Sequence, residues 1–320
     1  MLTTLEALAP HLRTPVSGAR LKLEFDQGRL RRCASEDDPS DDFPVVDGVP
    51  VLVDFARSVL DREQTLASGA ASRISRRTAV RWRFARRIIQ GRPHVAERVC
   101  GDLMRRLAAE ARSGAPPLVV VPGGGTLGAG ADALYSNPHV RVAGFDIYAS
   151  PLVQFVADGH DIPLADNCVD AVWIQTVLEH VVDPERLVAE IARILRPGGY
   201  VYAETPFMQQ VHEGAYDFTR YTAGGHRWLF RSFETVEAGV VEGPGVALRW
   251  ALRYFVASLT RSRTAGALVG ASLFWLRFFD RLADPRHASD GAGCLYFFGR
   301  KSSVSISPRD LVSDYRGAQR

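Results

Sequence analysis

Residues Leu118 to Val121 form an unbroken aliphatic run that is followed at once by Pro122-Gly123-Gly124-Gly125. An apolar run without polar alternation is the mark of a strand buried on both faces of a parallel sheet, and the glycines demand a sharp turn at its carboxyl end. A second such run, Val140 to Phe145, ends in Asp146, roughly 20 residues beyond the glycines, the separation at which a strand-end acid meets a ribose. A carboxylate so placed can accept hydrogen bonds from both ribose hydroxyls. The order strand, glycine turn, helix, strand, acid therefore predicts a nucleoside-binding crevice in an α/β sheet.

The glycines leave the ligand open. Gly123, Gly125 and Gly128 also satisfy G-x-G-x-x-G, in which glycines let the backbone approach a pyrophosphate at a helix N-terminus. That reading gives a nicotinamide-dependent oxidoreductase, although the chain lacks a Tyr-x-x-x-Lys pair for hydride chemistry. The downstream sequence decides the matter. A third strand ends in Asp158, a turn-rich loop holds Asp161, Asp166 and Asp170, and a fourth strand runs to Ile174. The helix Pro184 to Leu195 follows, then the stop Arg196-Pro197-Gly198-Gly199 and a fifth strand, Tyr200 to Glu204.

With these residues the stretch 116–242 resembles the class I S-adenosylmethionine-dependent methyltransferases of the small-molecule type, with a return at Cys294 to Lys301. The shared pattern is an acid after the third strand, a Leu/Ile-Pro-hydrophobic loop, and Leu-x-Pro-Gly-Gly before the fifth strand. The resemblance implies a Rossmann-like, seven-stranded, mostly parallel sheet with helices on both faces, and S-adenosyl-L-methionine as cofactor. It implies that Pro122, Gly123, Gly124 and Gly125 lie against the methionine part, and that Asp146 and Ile147 line the ribose. Asp158 would take the adenine amine, the Gly159 amide a ring nitrogen, and Gln175 would face the sulfonium. Two departures stand out: Val121 occupies the place of an acid common before the first glycine, and the third glycine is displaced to Gly128. They leave a non-catalytic nucleoside-binding protein as a further alternative. Asp161, Asp166 and Asp170 are assigned to turns and solvent.

Four further regions frame this core. Residues 1–60 form a small β extension, with the Asp47-Gly48 hairpin as its clearest signal. They resemble the zinc-ribbon-like module that precedes some methyltransferases, in a degenerate state without metal, because Cys33 is the only cysteine near the ligand positions. Residues 61–115 are helical. Eight arginines fall from Arg73 to Arg92 with no acid between Gln64 and Ala96, a solvated face or an anion-attracting one. Residues 205–225 carry His212, Tyr216, Asp217, Arg220 and Tyr221 and resemble the His-x(4)-Asp-(Phe/Tyr)-x-Arg-(Phe/Tyr)-Thr lid of a subset of the family. Residues 244–284 form a helical insertion before the last strand; its many Leu, Phe and Trp side chains must be covered, by the sheet and active site, by a second copy or by a lipid surface. Residues 303–320 read as a flexible tail.

Methyl transfer is an in-line displacement that needs alignment above all, and a base when the acceptor is a hydroxyl. His212 is the first candidate base, because imidazole titrates near neutrality, with Asp217 to orient it and His180 as second choice. The four cysteines, Cys33, Cys100, Cys168 and Cys294, are too dispersed for a disulfide framework or a zinc site, which fits a reducing, cytoplasmic compartment. A formal charge of +3 without an aromatic platform argues against nucleic acid as partner. The expected protein is thus a methyltransferase for an O or N atom of a small or carrier-linked acceptor, with peripheral membrane contact and a homodimer as open partners.

Overall fold

The computed structural model describes residues 1–38, 40–68, 93–111 and 114–319. The arginine-rich stretch Ser72 to Arg92 therefore lies outside the described residues. The strands are β1 (Leu21–Asp26), β2 (Arg29–Ser35), β3 (Asp42–Phe43), β4 (Val45–Val46), β5 (Val49–Leu52), β6 (Leu118–Pro122), β7 (Arg141–Asp146) and β8 (Val153–Ala157). They continue with β9 (Val169–Gln175), β10 (Leu195–Pro206), β11 (Phe233–Glu242) and β12 (Cys294–Lys301). Nine of them form one sheet in the order β11-β12-β10-β9-β6-β7-β8-β5-β4. From β10 to β5 every neighbouring pair is parallel, whereas β12 is antiparallel to both β10 and β11.

Seven of the nine are the strands that the sequence predicts. The other two come from the N-terminal extension: β5 pairs in parallel with β8 through Val51 and Leu52, and β4 hangs on β5 across the Asp47-Gly48 turn. Both turn residues have positive φ, 53° and 84°, as a two-residue hairpin of matching twist requires. The extension thus does more than precede the sheet: Val51 and Leu52 are buried in it, while β1, β2 and β3 form a small sheet of their own.

Alternation along β6 explains the aliphatic run. Leu118 and Val120 face one core together with Leu187, Val188, Ile191 and Ile194 of the helix Pro184–Ile194. Val119 and Val121 face the other, with Val99, Cys100, Leu103 and Leu107 of the helix His94–Ala109 and the stacked pair Trp173–Tyr202. A strand covered on both faces has no room for a polar position.

The insertion is a helical hairpin. The helices Pro244–Thr260 and Arg263–Ser272 pack closely because Gly266 and Gly270 carry no side chain; a Cβ at Gly266 would stand 2.4 Å from the Arg253 carbonyl. Turns of 3₁₀ helix, Phe274–Arg281, complete it. The expectation that its apolar surface is covered holds in part: Leu259, Leu268, Phe279 and Leu282 are exposed. The segment expected as a flexible tail carries a short helix. Ser307 and Asp310 form a capping box on the helix Pro308–Ser313, and the Tyr315 hydroxyl donates to both Asp290 oxygens. These local polar bonds give no hydrophobic pattern to read in advance.

Candidate functional site

The chain runs β6, β7, β8 outward, then crosses back to place β9 on the other side of β6. Such a reversal opens a crevice at the carboxyl ends of the strands. Pro122 ends β6, and Gly123 turns there with φ 67°; a Cβ on it would stand 2.3 Å from the Val177 side chain. Gly124 donates to the Phe145 carbonyl at 3.0 Å, and a Cβ there would meet the Val121 carbonyl at 2.7 Å.

The acid of β7 is held by two backbone amides. Gly125 N–H donates to Asp146 Oδ2 at 2.8 Å and Ile147 N–H to Oδ1 at 2.7 Å. A carboxylate has about four acceptor positions, and these two amides fix its orientation at the tip of β7. A Cβ at Gly125 would stand 2.6 Å from Asp146 Oδ2 and 2.4 Å from the Tyr148 hydroxyl. Only a glycine fits there, with the Asp146 carboxylate and the Tyr148 hydroxyl packed against it. The helix expected straight after the glycines is absent: the next one, Asp132–Ser136, is five residues long and starts beyond Gly130. No helix N-terminus stands at the turn to hold a pyrophosphate, which removes the physical basis of the dinucleotide alternative.

Asp158 is more engaged than the sequence suggests. Its Oδ1 accepts from the His160 amide at 3.0 Å and lies 2.6 Å from His160 Nδ1, while Oδ2 accepts from the Ser58 hydroxyl. Burial alone would raise this carboxyl, but the bonds from His160 and Ser58 outweigh it and hold it below its ordinary range. Ser58 comes from the N-terminal extension, so Asp158 also fastens that extension to the crevice. Gly159 packs under Leu187, 2.9 Å from where a Cβ would stand. Gln175 takes the Trp173 indole N–H on Oε1 at 2.8 Å and donates from Nε2 to the Ala129 carbonyl at 3.1 Å. It thereby ties β9 to the glycine loop. Of the loop acids expected in turns and solvent, Asp161 pairs with Arg186, Asp166 with Arg193, and Asp170 with Arg196 and the Leu118 amide.

The lid brings a second group together. Its Asp217 accepts from the His212 amide at 2.8 Å and pairs through both oxygens with Arg220. Burial raises the Asp217 carboxyl, but Arg220 and His212 prevail and bring it down to about 2. His212 Nδ1 lies 3.3 Å from Asp217 Oδ2 and 3.3 Å from the Gln210 carbonyl. His180, on the short turn Leu178–His180 after β9, has its Nδ1 2.6 Å from the Tyr216 carbonyl and its ring edge-on to His212 at 5.0 Å. Between them lies Glu179, fully buried and with neither carboxylate oxygen hydrogen-bonded. Burial pushes its carboxyl up to about 8.

A family model described as "Methyltransferase domain" matches residues 123–203, the segment from the glycine turn to β10. Over that segment the chain matches a methyltransferase domain. Proteins similar to this chain include an uncharacterized 37.1 kDa protein of a Streptomyces fradiae transposon, 35% identical over 113 residues, 31% of this chain and 32% of that protein. An uncharacterized methyltransferase of Mycobacterium tuberculosis is 47% identical over 57 residues, 17% of this chain and 23% of its own. The matched segments therefore span about a third or less of these relatives. Among solved structures, a putative sarcosine dimethylglycine methyltransferase from Galdieria sulphuraria is similar at 16% identity and TM-score 0.43, over 69% of this chain and 97% of that one. S-adenosyl-L-methionine is the cofactor of that family, and the matched segment includes the glycine turn and Asp146.

Reading the sequence did not single out Glu179 as a member of the site. Glu204, at the end of β10, was read as the end of a strand; it is buried against the Tyr202 hydroxyl at 2.5 Å. The one available signal was an acid at the carboxyl end of a buried strand beside the crevice, the same signal that singled out Asp146.

Proposed function

We propose that this methyltransferase moves the methyl group of S-adenosyl-L-methionine to an oxygen or nitrogen atom of a small or carrier-linked molecule. The observation that carries the reading is the paired amide clamp that holds Asp146 at the tip of β7 beside the glycine turn. Asp146 takes the ribose hydroxyls. Pro122, Gly123, Gly124 and Gly125 pass the backbone along the amino-acid part. Asp158 serves the adenine amine with the acceptor capacity that Ser58 and His160 leave, and the Gly159 amide meets the ring. Gln175 shapes the sulfonium end through its hold on the glycine loop, without direct contact.

The acceptor's place in this reading lies under the lid, between His180, His212 and the helix Pro244–Thr260, whose Trp250 ring is 6.2 Å from that of His212 and whose Tyr254 hydroxyl donates to the Val211 carbonyl. In the transfer, a lone pair on the acceptor forms the new bond to the methyl carbon as the carbon–sulfur bond breaks, and the acceptor proton leaves to a base. A carbonyl can only accept, so contact with Tyr216 O fixes the His180 proton on Nδ1 and leaves Nε2 as a proton acceptor. His212 takes the same tautomer if its Nδ1 serves Gln210 O or Asp217, which makes its Nε2 the first-choice base. The exposed apolar side of the helical hairpin suits a lipid-linked acceptor or a second copy of the chain. Among the described residues no helix is long and apolar enough to cross a membrane.

Release of S-adenosylhomocysteine that depends on an added hydroxyl or amine acceptor, measured over a panel of free and carrier-linked compounds, tests the reading. An Asp146→Ala variant with undiminished release would overturn the assignment of the crevice.

A further inference from the structure

Glu179 is an anomaly that the methyl-transfer chemistry does not need. It is fully buried, both its oxygens lack a hydrogen-bond partner, and its Oε1 lies 3.7 Å from His180 Nε2 and 3.9 Å from His212 Nε2. A buried carboxylate without partners costs several kcal/mol in principle, and such groups are usually resolved by a cation or a shared proton. The two imidazoles are presented in the manner of metal ligands. Each has its far nitrogen, Nδ1, set against an oxygen acceptor: the Tyr216 carbonyl for His180, and Asp217 with the Gln210 carbonyl for His212. That outer contact fixes the tautomer and turns the Nε2 lone pair inward, the usual support behind a histidine ligand. One ligand atom from each of the three residues lies within 4.8 Å of the others. Tetrahedral ligands at about 2.0–2.1 Å from zinc stand roughly 3.3 Å apart, so modest side-chain closure completes the set.

We propose that Glu179, His180 and His212 form a binding site for one divalent transition-metal ion of the zinc, cobalt or iron(II) class. Two imidazoles with one carboxylate favour these ions over calcium or magnesium, which take oxygen ligands. Three protein ligands leave a coordination position open, and the partial exposure of both histidines gives the ion a way in. The positive charge of Arg220 does not oppose it outright, because Asp217 already pairs with that guanidinium. The site joins two segments, since His212 and its Asp217 come from residues 205–225 while Glu179 and His180 come from the turn Leu178–His180 after β9. It stands independently of the acceptor and of whether methyl transfer occurs. With an ion present, the His212 Nε2 lone pair is a ligand and no longer a base.

The test is calorimetric titration of the chelator-treated full chain with Zn2+, repeated with Co2+ while the visible absorption is followed. The result expected is one ion per chain, with affinity lowered at least ~10-fold in His180→Gln and in His212→Gln, the scale on which even outer-shell losses act, and Co2+ bands that vanish in both. Glu179→Gln serves as third variant if circular dichroism shows it folded; the two histidine variants decide the matter without it. S-adenosylhomocysteine binding, measured on the same samples, should persist in both histidine variants, which separates loss of the ion from loss of the fold or of the cofactor site. Absence of Zn2+ binding by the parent, or binding that both histidine variants retain in full, would overturn the proposal and leave a proton shared by Glu179 and the imidazoles in the ion's place.

Discussion

Replacing Asp146 by alanine removes the anchor of the Gly125 and Ile147 amides and, in the proposed reading, the acceptor of two ribose hydroxyls. Hydrogen bonds to a charged group contribute about 1.5–3 kcal/mol each. Part of that is returned because the ribose hydroxyls regain water when the carboxylate is gone, so a net loss of about 3 kcal/mol is expected for the pair. At 1.4 kcal/mol per decade this is a fall in affinity of roughly 150-fold. Asp146→Asn should sit between the two: one carbonyl oxygen remains, but the amide NH2 faces a backbone N–H donor on the other side, and about a tenfold loss follows from one poor contact. Isothermal titration with S-adenosylhomocysteine measures both, with circular dichroism to confirm the fold. Affinity of the alanine variant within about threefold of the parent, less than 1 kcal/mol, would refute the ribose assignment.

Other consequences follow from single contacts. Gly124→Ala places a methyl 2.7 Å from the Val121 carbonyl and 3.1 Å from the Gly144 Cα; backbone must shift, so thermal denaturation should show a loss of about 1–3 kcal/mol together with weakened cofactor binding. His226 is buried against the Thr205 hydroxyl at 3.1 Å, and burial brings its imidazole down to about 3. Its pKa is lower folded than unfolded, so the stability it lends is whole above about pH 6.5 and is lost as pH falls toward 3, by up to about 1.4 kcal/mol per pH unit. Urea denaturation across that range should show a shallower slope, by one proton, in His226→Gln. Asp217→Ala strips Arg220 of its two-oxygen partner and frees the His212 amide, so limited proteolysis should cut within residues 205–225 faster than in the parent while core cleavage stays unchanged.

The parts of the molecule legible in the sequence are those set by continuous burial or by backbone geometry. Leu118 to Val121 and the glycines after them announced β6 and its turn, because a doubly covered strand tolerates no polar residue and the Val177 contact tolerates no Cβ at Gly123. Asp146 was legible for its register with that turn. The pairing of β5 with β8 was not: Val49–Leu52 is four residues long, and nothing local tells such a strand which edge it joins. Glu179 and Ser58 were hidden for a related reason. Their importance lies in partners 33 and 100 residues away, His212 and Asp158, and no periodicity records such a meeting. The contacts within the expected tail, 303–320, were not legible because they, the capping box and Tyr315 on Asp290, are polar and specific.

The central claim is that the tips of β6, β7 and β8 hold an adenosyl group without help from a helix N-terminus. Titrating the unmodified chain with S-adenosylhomocysteine and, in a separate cell, with NAD tests it most directly. Heat of binding for the thioether at one site per chain and none for the dinucleotide is the outcome the geometry requires. Binding of NAD, or a crevice that takes up neither compound, would contradict it.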